Sequence, residues 1–215
     1  MKPRDVAGFL DSEPKRYSQF REEVCIRHFF NDEANGFFVE CGAGHAWDDS
    51  TTAYLDAVLG WSGLSIDARA EVAVEFEQRL RSRFFSYVVT DYCGAATFYR
   101  LAERPSISSA VEGYVESSGV AGVPVAMELP ATTLDALLER ERVERIDFLS
   151  MDIEGAEMRA LSCFDMERWK PRLVCVEIGT EQKGRELLAY FAAHGYRRID
   201  EYLPHDGINF HFTPM

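Results

Sequence analysis

FFVECGAG, residues Phe37 to Gly44, is the stretch that decides the fold. A run of Phe, Val and Cys that stops at a glycine pair reads as a buried parallel strand feeding a tight turn under a helix. Glycines let backbone N–H groups approach a ligand closely, and an acidic side chain at the strand end accepts hydrogen bonds from a cation or hydroxyl. Glu40, Gly42 and Gly44 are therefore candidate binding residues. The dinucleotide fingerprint G-x-G-x-x-G requires a third glycine where this chain has Trp47, which disfavours NAD. An acidic strand end with only G-x-G better fits the loop that holds S-adenosylmethionine, whose ammonium and sulfonium are positive where a pyrophosphate is negative.

Outward from this turn, strand and helix patterns alternate. Apolar residues at helical spacing from Ser18 to Phe30 predict a covering helix over about 17–30. After the glycines, Asp48, Asp49 and Ser50 offer N-cap oxygens to a helix from Thr51 to Leu59 that stops at Gly60. Gly63 to Asp67 reads as a second strand, Ala70 to Arg83 as a helix and Phe84 to Val89 as a third strand. That order is βαβαβ, the alternation of an α/β protein with a parallel sheet. From Asp91 the pattern loosens. Ala95 to Arg100 has strand character, whereas about 103–130 reads as a loop-rich insertion, a lid or an unstructured connection. A helix capped by Thr132 or Thr133 runs to Arg140, followed by a fourth strand, Arg145 to Met151, a helix, Gly155 to Cys163, and a fifth strand, Arg172 to Ile178. A helix from Gln182 to His194 and two strand-like runs, Tyr196 to Leu203 and Ile208 to Phe212, end the chain, with Pro204 to Gly207 as hairpin-turn chemistry between them.

At 215 residues, one domain is the default expectation. The 36 acidic residues against 23 basic ones give a formal charge of −13, with no Lys/Arg stripe, so nucleic acid and anionic membranes are expected to be repelled. A small-molecule partner is expected instead. No apolar run approaches the ~18 residues of a membrane span and the first residues lack a signal-peptide core, pointing to a cytoplasmic protein. Cys25, Cys41, Cys93, Cys163 and Cys175 are odd in number and lack a C-x-x-C pair, so they read as reduced core residues rather than disulfides or zinc ligands.

Asp67, ending the second strand, can accept both hydroxyls of a ribose, or simply cap the next helix. The fourth strand, IDFLSM, delivers Asp152 to the same edge, with Glu154 and Glu157 at the following helix start. Asp152 can orient a substrate hydroxyl, accept its proton, or hold a divalent metal together with Glu177 of VCVEIG.

FFVECGAG, followed by DDSTTAYLDAVLGWSGLSIDA, RIDFLSMDIEGAEMRAL and LVCVEIG, resembles the FkbM-type family of S-adenosylmethionine-dependent methyltransferases over roughly residues 17 to 200. Its most specific pieces are Gly60, Trp61, Gly63 and Asp67, and then Asp152, Glu154, Gly155 and Glu157. The resemblance implies a Rossmann-like doubly wound sheet of the class I methyltransferase type, with seven strands and the last antiparallel. It also implies O-methylation of a hydroxyl, often on a sugar or natural product. The family commonly has Asp where this chain has Glu40, and Pro where it has Ala68. Its S-x-T appears as Ser50 and Thr52, suited to the methionine carboxylate or to the helix start. Asp91, beyond the third strand, is counted with this cofactor-binding group.

The reaction expected is in-line displacement at the sulfonium methyl by a substrate oxygen, with Asp152 and His45 as candidate bases. His205 and His211, near the end of the chain, are weaker choices. A ligand-binding protein on the same fold without methyl transfer is the alternative. A short-chain dehydrogenase is disfavoured by the missing glycine and the lack of a Tyr-x-x-x-Lys pair.

Overall fold

The computed structural model describes residues 6–215. Its strands are β1 (Phe37–Cys41), β2 (Ser62–Asp67), β3 (Ser82–Ser86), β4 (Val88–Val89), β5 (Gly94–Arg100), β6 (Val125–Thr132), β7 (Phe148–Met151), β8 (Leu173–Glu177), β9 (Tyr196–Arg198) and β10 (Asn209–Pro214). Seven of them form one sheet in the order β3-β2-β1-β7-β8-β10-β9, and only β10 runs antiparallel to its neighbours. Seven strands with the last antiparallel is the sheet that the resemblance implies. The order reverses between β1 and β7, so a crevice opens at the carboxyl ends of those two strands.

Both faces of the sheet are buried, as near-continuous apolar strands require. Phe38 and Phe148 face a core shared with Val24, Cys25, Ile26 and Trp61 under the helix Glu22–Phe30. Their neighbours Val39 and Leu149 face the opposite core with Leu137, Leu161, Leu187 and Phe191. The period of two along each strand thus feeds two helical layers. No helix among the described residues is long and apolar enough to cross a membrane.

Five expected elements differ. The covering helix starts at Glu22 rather than near residue 17, because the Glu23 carboxylate accepts the backbone N–H groups of Arg16, Tyr17 and Ser18 and holds them in a turn. The helix expected to reach Arg83 is a 3₁₀ turn, Ala70–Val72, continued by Ala73–Phe76. It stops because buried Asp56 takes the N–H groups of Arg81 and Ser82 at 3.2 and 3.0 Å, turning the chain into β3. The strand expected at Phe84 to Val89 is divided at Tyr87, so that β4 leaves the large sheet for a three-stranded one, β4-β6-β5. Strand β6 occupies the last part of the stretch read as loop-rich, paired residue for residue with β5 from Gly94↔Ala131 to Arg100↔Val125. Past Arg198 the chain makes a 3₁₀ turn, Asp200–Tyr202, instead of continuing as a strand to Leu203.

Candidate active site

Strand β1 ends in a turn that glycine alone can make. Gly42 has φ +80°, and a Cβ there would stand 1.6 Å from the Asp152 carbonyl oxygen. Gly42 and Ala43 donate their N–H groups to Ile66 O at 2.9 and 3.0 Å, and Asp152 N donates to Cys41 O at 2.9 Å. The first glycine therefore exists for strand packing, locking the ends of β1, β2 and β7 together. Gly44 differs: it has φ +61°, and its missing Cβ would meet only the Arg69 guanidinium at 3.8 Å.

These strand ends wall a cleft of about 450 Å³ lined by Glu40, Gly42, Gly44, His45, Asp67 and Asp152 among others. Strand β5 and the insertion line the other side with Phe98, Ile107 and Ala110. Acids dominate the lining: Glu22, Glu40, Asp67, Asp152, Glu154 and Glu177 face Arg69 and Arg104. Such a site favours a cationic ligand over an anionic one.

Glu40 is buried, accepting Thr52 Oγ1 at 2.8 Å and Ser65 Oγ at 3.3 Å. Burial lifts its pKa to about 7 against the downward pull of Arg79. Arg79 lies in the interior behind it, donating to Ala46 O at 2.6 Å and Ser50 Oγ at 2.7 Å and facing Asp56 at 3.8 Å. Burial lowers its pKa, with Glu40 and Asp56 opposing. Ser50 and Thr52 are buried and do not line the cleft. They form the wall behind it: Thr52 orients Glu40, while Ser50 accepts Ala53 N at 3.2 Å where the helix Ala53–Ala57 begins.

Both oxygens of Asp67 are engaged. Oδ1 accepts Arg69 N and Nε at 2.9 Å each, and Oδ2 accepts Gly44 N at 2.9 Å and Arg69 Nη2 at 3.0 Å. A carboxylate has about four lone-pair sites, so ribose hydroxyls reach Asp67 only if the Arg69 guanidinium moves away. Asp91 does not line the cleft; it is exposed, with its carboxylate 3.6 Å from Arg159. His45 borders the cleft, but it is half exposed and its Nδ1 is 3.0 Å from Glu75 rather than directed at Asp152.

Asp152 opens the acidic floor. Its Oδ1 is buried with no hydrogen-bond partner among the described residues. Burial, reinforced by Glu177, Glu154 and Glu157, raises its pKa well above the ordinary carboxylate range, against Lys183. Burial likewise lifts Glu154 to about 7. Lys183 bridges Glu157 at 2.6 Å and Glu177 at 3.2 Å. Asp152, Glu157 and Glu177 each offer an oxygen within 4.8 Å of the others, a spacing open to a cation, although Lys183 already neutralises two of them. Glu154 holds a left-handed conformation, φ 54°, with its carbonyl accepting Ser109 Oγ at 2.6 Å. The Tyr114 ring packs where a Gly155 Cβ would be, 2.6 Å away, and its hydroxyl hydrogen-bonds Glu154. The insertion is thereby pinned to the turn after β7.

The family model described as the methyltransferase FkbM domain matches residues 40–198. The chain belongs to the FkbM methyltransferase family. Among curated proteins no match is found. The FkbM domain begins at Glu40 and ends with β9, taking in Glu40, Asp67, His45 and Asp152 but not His205 or His211, and the protein is a methyltransferase. Sequence reading missed Arg69, Arg79, Tyr114 and Lys183 in this FkbM domain. Arg69 carried a usable signal, a cation two residues beyond a strand-end acid. The other three reach the site only through tertiary packing.

Proposed function

We propose that the protein is an S-adenosylmethionine-dependent O-methyltransferase acting on a hydroxylated small molecule. One observation carries this reading: Glu40, the Gly44 turn, Asp67 and Asp152 converge from three adjacent strand ends on one acid-lined cleft at the point where strand order reverses. The residues fit the cofactor's chemistry. Buried Glu40 and the acidic floor suit a ligand carrying ammonium and sulfonium charges. Asp67, once released by Arg69, suits a vicinal diol. Bound there, S-adenosylmethionine supplies an electrophilic methyl group.

The chain's own residues bind, orient and take up a proton. Holding reactants in line is worth up to ~7–11 kcal/mol in well-oriented systems, and the lock between Gly42 and the Asp152 carbonyl fixes donor turn and candidate base relative to each other. Asp152 lines the cleft, its carboxylate is the candidate to receive the acceptor's hydroxyl proton, and a raised pKa brings its basicity toward that task. Phe98, Ile107 and Ala110 present apolar surface to the cleft on that side. Calorimetry with S-adenosylmethionine against NAD, then methyl transfer to a panel of hydroxylated acceptors, tests the proposal. Binding of NAD in preference, or cofactor binding with no turnover on any acceptor, would overturn it.

A further inference from the structure

On the face of the sheet opposite the Val39 core, a second group of ligating side chains is fully buried and unused by the proposed reaction. Cys175 of β8 and His211 of β10 are direct cross-strand partners, so their side chains project on the same face. Asp206, in the turn before β10, completes a set whose Sγ, carboxylate and imidazole atoms all lie within 4.8 Å of one another. All three residues are at most 2 % exposed. Neither ring nitrogen of His211 has a hydrogen-bond partner among the described residues; Asp206 Oδ2 stands 3.6 Å from Nε2. Leaving a buried polar group without a partner is costly, and an imidazole with both nitrogens unpaired is rare in a folded interior.

We propose that Cys175, Asp206 and His211 bind a structural zinc ion. Thiolate, carboxylate and imidazole are zinc's usual ligand types, and bonds of ~2.0–2.3 Å place tetrahedral ligand atoms about 3.3–3.5 Å apart. The Asp206–His211 pair already has nearly that spacing, and modest side-chain rotation brings in Cys175. Charge balances in this dry site: Zn²⁺ meets one thiolate, one carboxylate and a neutral imidazole, and the Cys175 proton leaves to solvent on binding. Asn209 Nδ2 donates to both Asp206 oxygens at 2.9 and 3.2 Å, orienting the ligand as outer-shell partners of metals do. The covering helix supplies the remaining neighbours, Cys25 and Glu22, both of which interact electrostatically with Asp206. With three protein ligands the fourth tetrahedral position falls to Cys25, Glu22 or a water, and the buried ion acts as a staple. It joins β8, the β9–β10 connection and β10, and steadies Glu22 and Ile208, which border the cleft.

The test uses the full chain, metal-stripped and titrated with Zn²⁺ against a chromophoric chelator and, separately, with Co²⁺. Expected are one ion per chain, a rise in thermal midpoint, and a thiolate-to-cobalt charge-transfer band. His211→Asn and Cys175→Ser should each weaken uptake by roughly 100-fold or more and abolish that band, whereas Asp152→Asn and Cys41→Ala retain both. Zinc K-edge absorption on the unmutated chain needs no variant to fold and should report sulfur in the first shell. No uptake by the folded chain, a shell without sulfur, or uptake that survives His211→Asn but fails in Asp152→Asn would each overturn the proposal.

Discussion

Replacing Arg69 with Ala should tighten cofactor binding. Arg69 is the residue that keeps Asp67 from a ribose, through guanidinium hydrogen bonds of 2.9 Å to Oδ1 and 3.0 Å to Oδ2. Each such charged bond is worth ~1.5–3 kcal/mol, but the displaced guanidinium recovers most of this in water, so the net cost of opening the pair is about 1–2 kcal/mol. Removing that cost predicts an affinity about 5–30-fold higher in Arg69→Ala. Gly44 N still donates to Asp67 Oδ2 at 2.9 Å, so the carboxylate keeps its place. In the opposite direction, Asp67→Ala removes the acceptor and should weaken binding by ~1.5–3 kcal/mol. Calorimetric titration of both variants with S-adenosylmethionine and S-adenosylhomocysteine, with folding checked by circular dichroism, reads both signs. Weaker binding in Arg69→Ala would mean that Arg69 itself contacts the ligand; unchanged binding in folded Asp67→Ala would remove Asp67 from the site.

Asp152→Asn should lower kcat roughly 10²-fold or more with little change in cofactor affinity; full activity of the wild type in chelator would favour a base over a metal ligand, and normal turnover of the variant would make the acid structural. Gly42→Ala must push the Asp152 carbonyl away from a Cβ otherwise 1.6 Å distant, so both thermal midpoint and kcat should fall, the latter about 10²-fold or more; a kcat near wild type would show that the lock is dispensable. Burial holds the Glu40 pKa at about 7 in the folded chain against an ordinary 4.5, so the folded chain holds a proton that the unfolded chain releases. Its contribution to stability is full below pH 4.5, falls as pH rises and is lost above about 7, a span of order 3 kcal/mol that should vanish in Glu40→Gln denaturant titrations across pH. Because a cationic ligand favours the ionised form, cofactor affinity should increase between about pH 6 and pH 8, and a flat calorimetric profile would exclude Glu40 from the binding site.

The parts of this architecture readable in advance are those in which local pattern and final environment agree. Phe38, Val39 and Cys41 are apolar because the strand is covered on both faces, and Glu40 stands out because it is the acid within that run. Asp67 and Asp152 end their strands at the same edge, so chain order alone places them near the glycine turn. Strand β6 failed the same test for a physical reason. Val125 and Met127 are exposed, Pro130 interrupts the pattern, and its pairing with β5 follows from a partner rather than from an apolar face. The helix expected to reach Arg83 was cut short by Asp56, and Ser50 and Thr52 were drawn into the wall by Arg79; neither interaction has a signature at either end. The zinc ligands lie on two strands and a turn that only the antiparallel return of β10 brings together.

The division of the third strand at Tyr87 has a consequence for how this molecule can diversify. The two residues of β4 lead the chain from the large sheet into the small one, and β5 and β6 pair with each other from Gly94↔Ala131 to Arg100↔Val125. On the proposed reading, the stretch from Gly94 to Ala131 is a graftable cassette. It bears Phe98, Ile107 and Ala110, while Glu40, Asp67 and Asp152 belong to the chassis. Exchange of the cassette between relatives would alter which acceptor fits without disturbing where the methyl donor sits, provided that Tyr114 still finds a glycine at position 155 on which to dock.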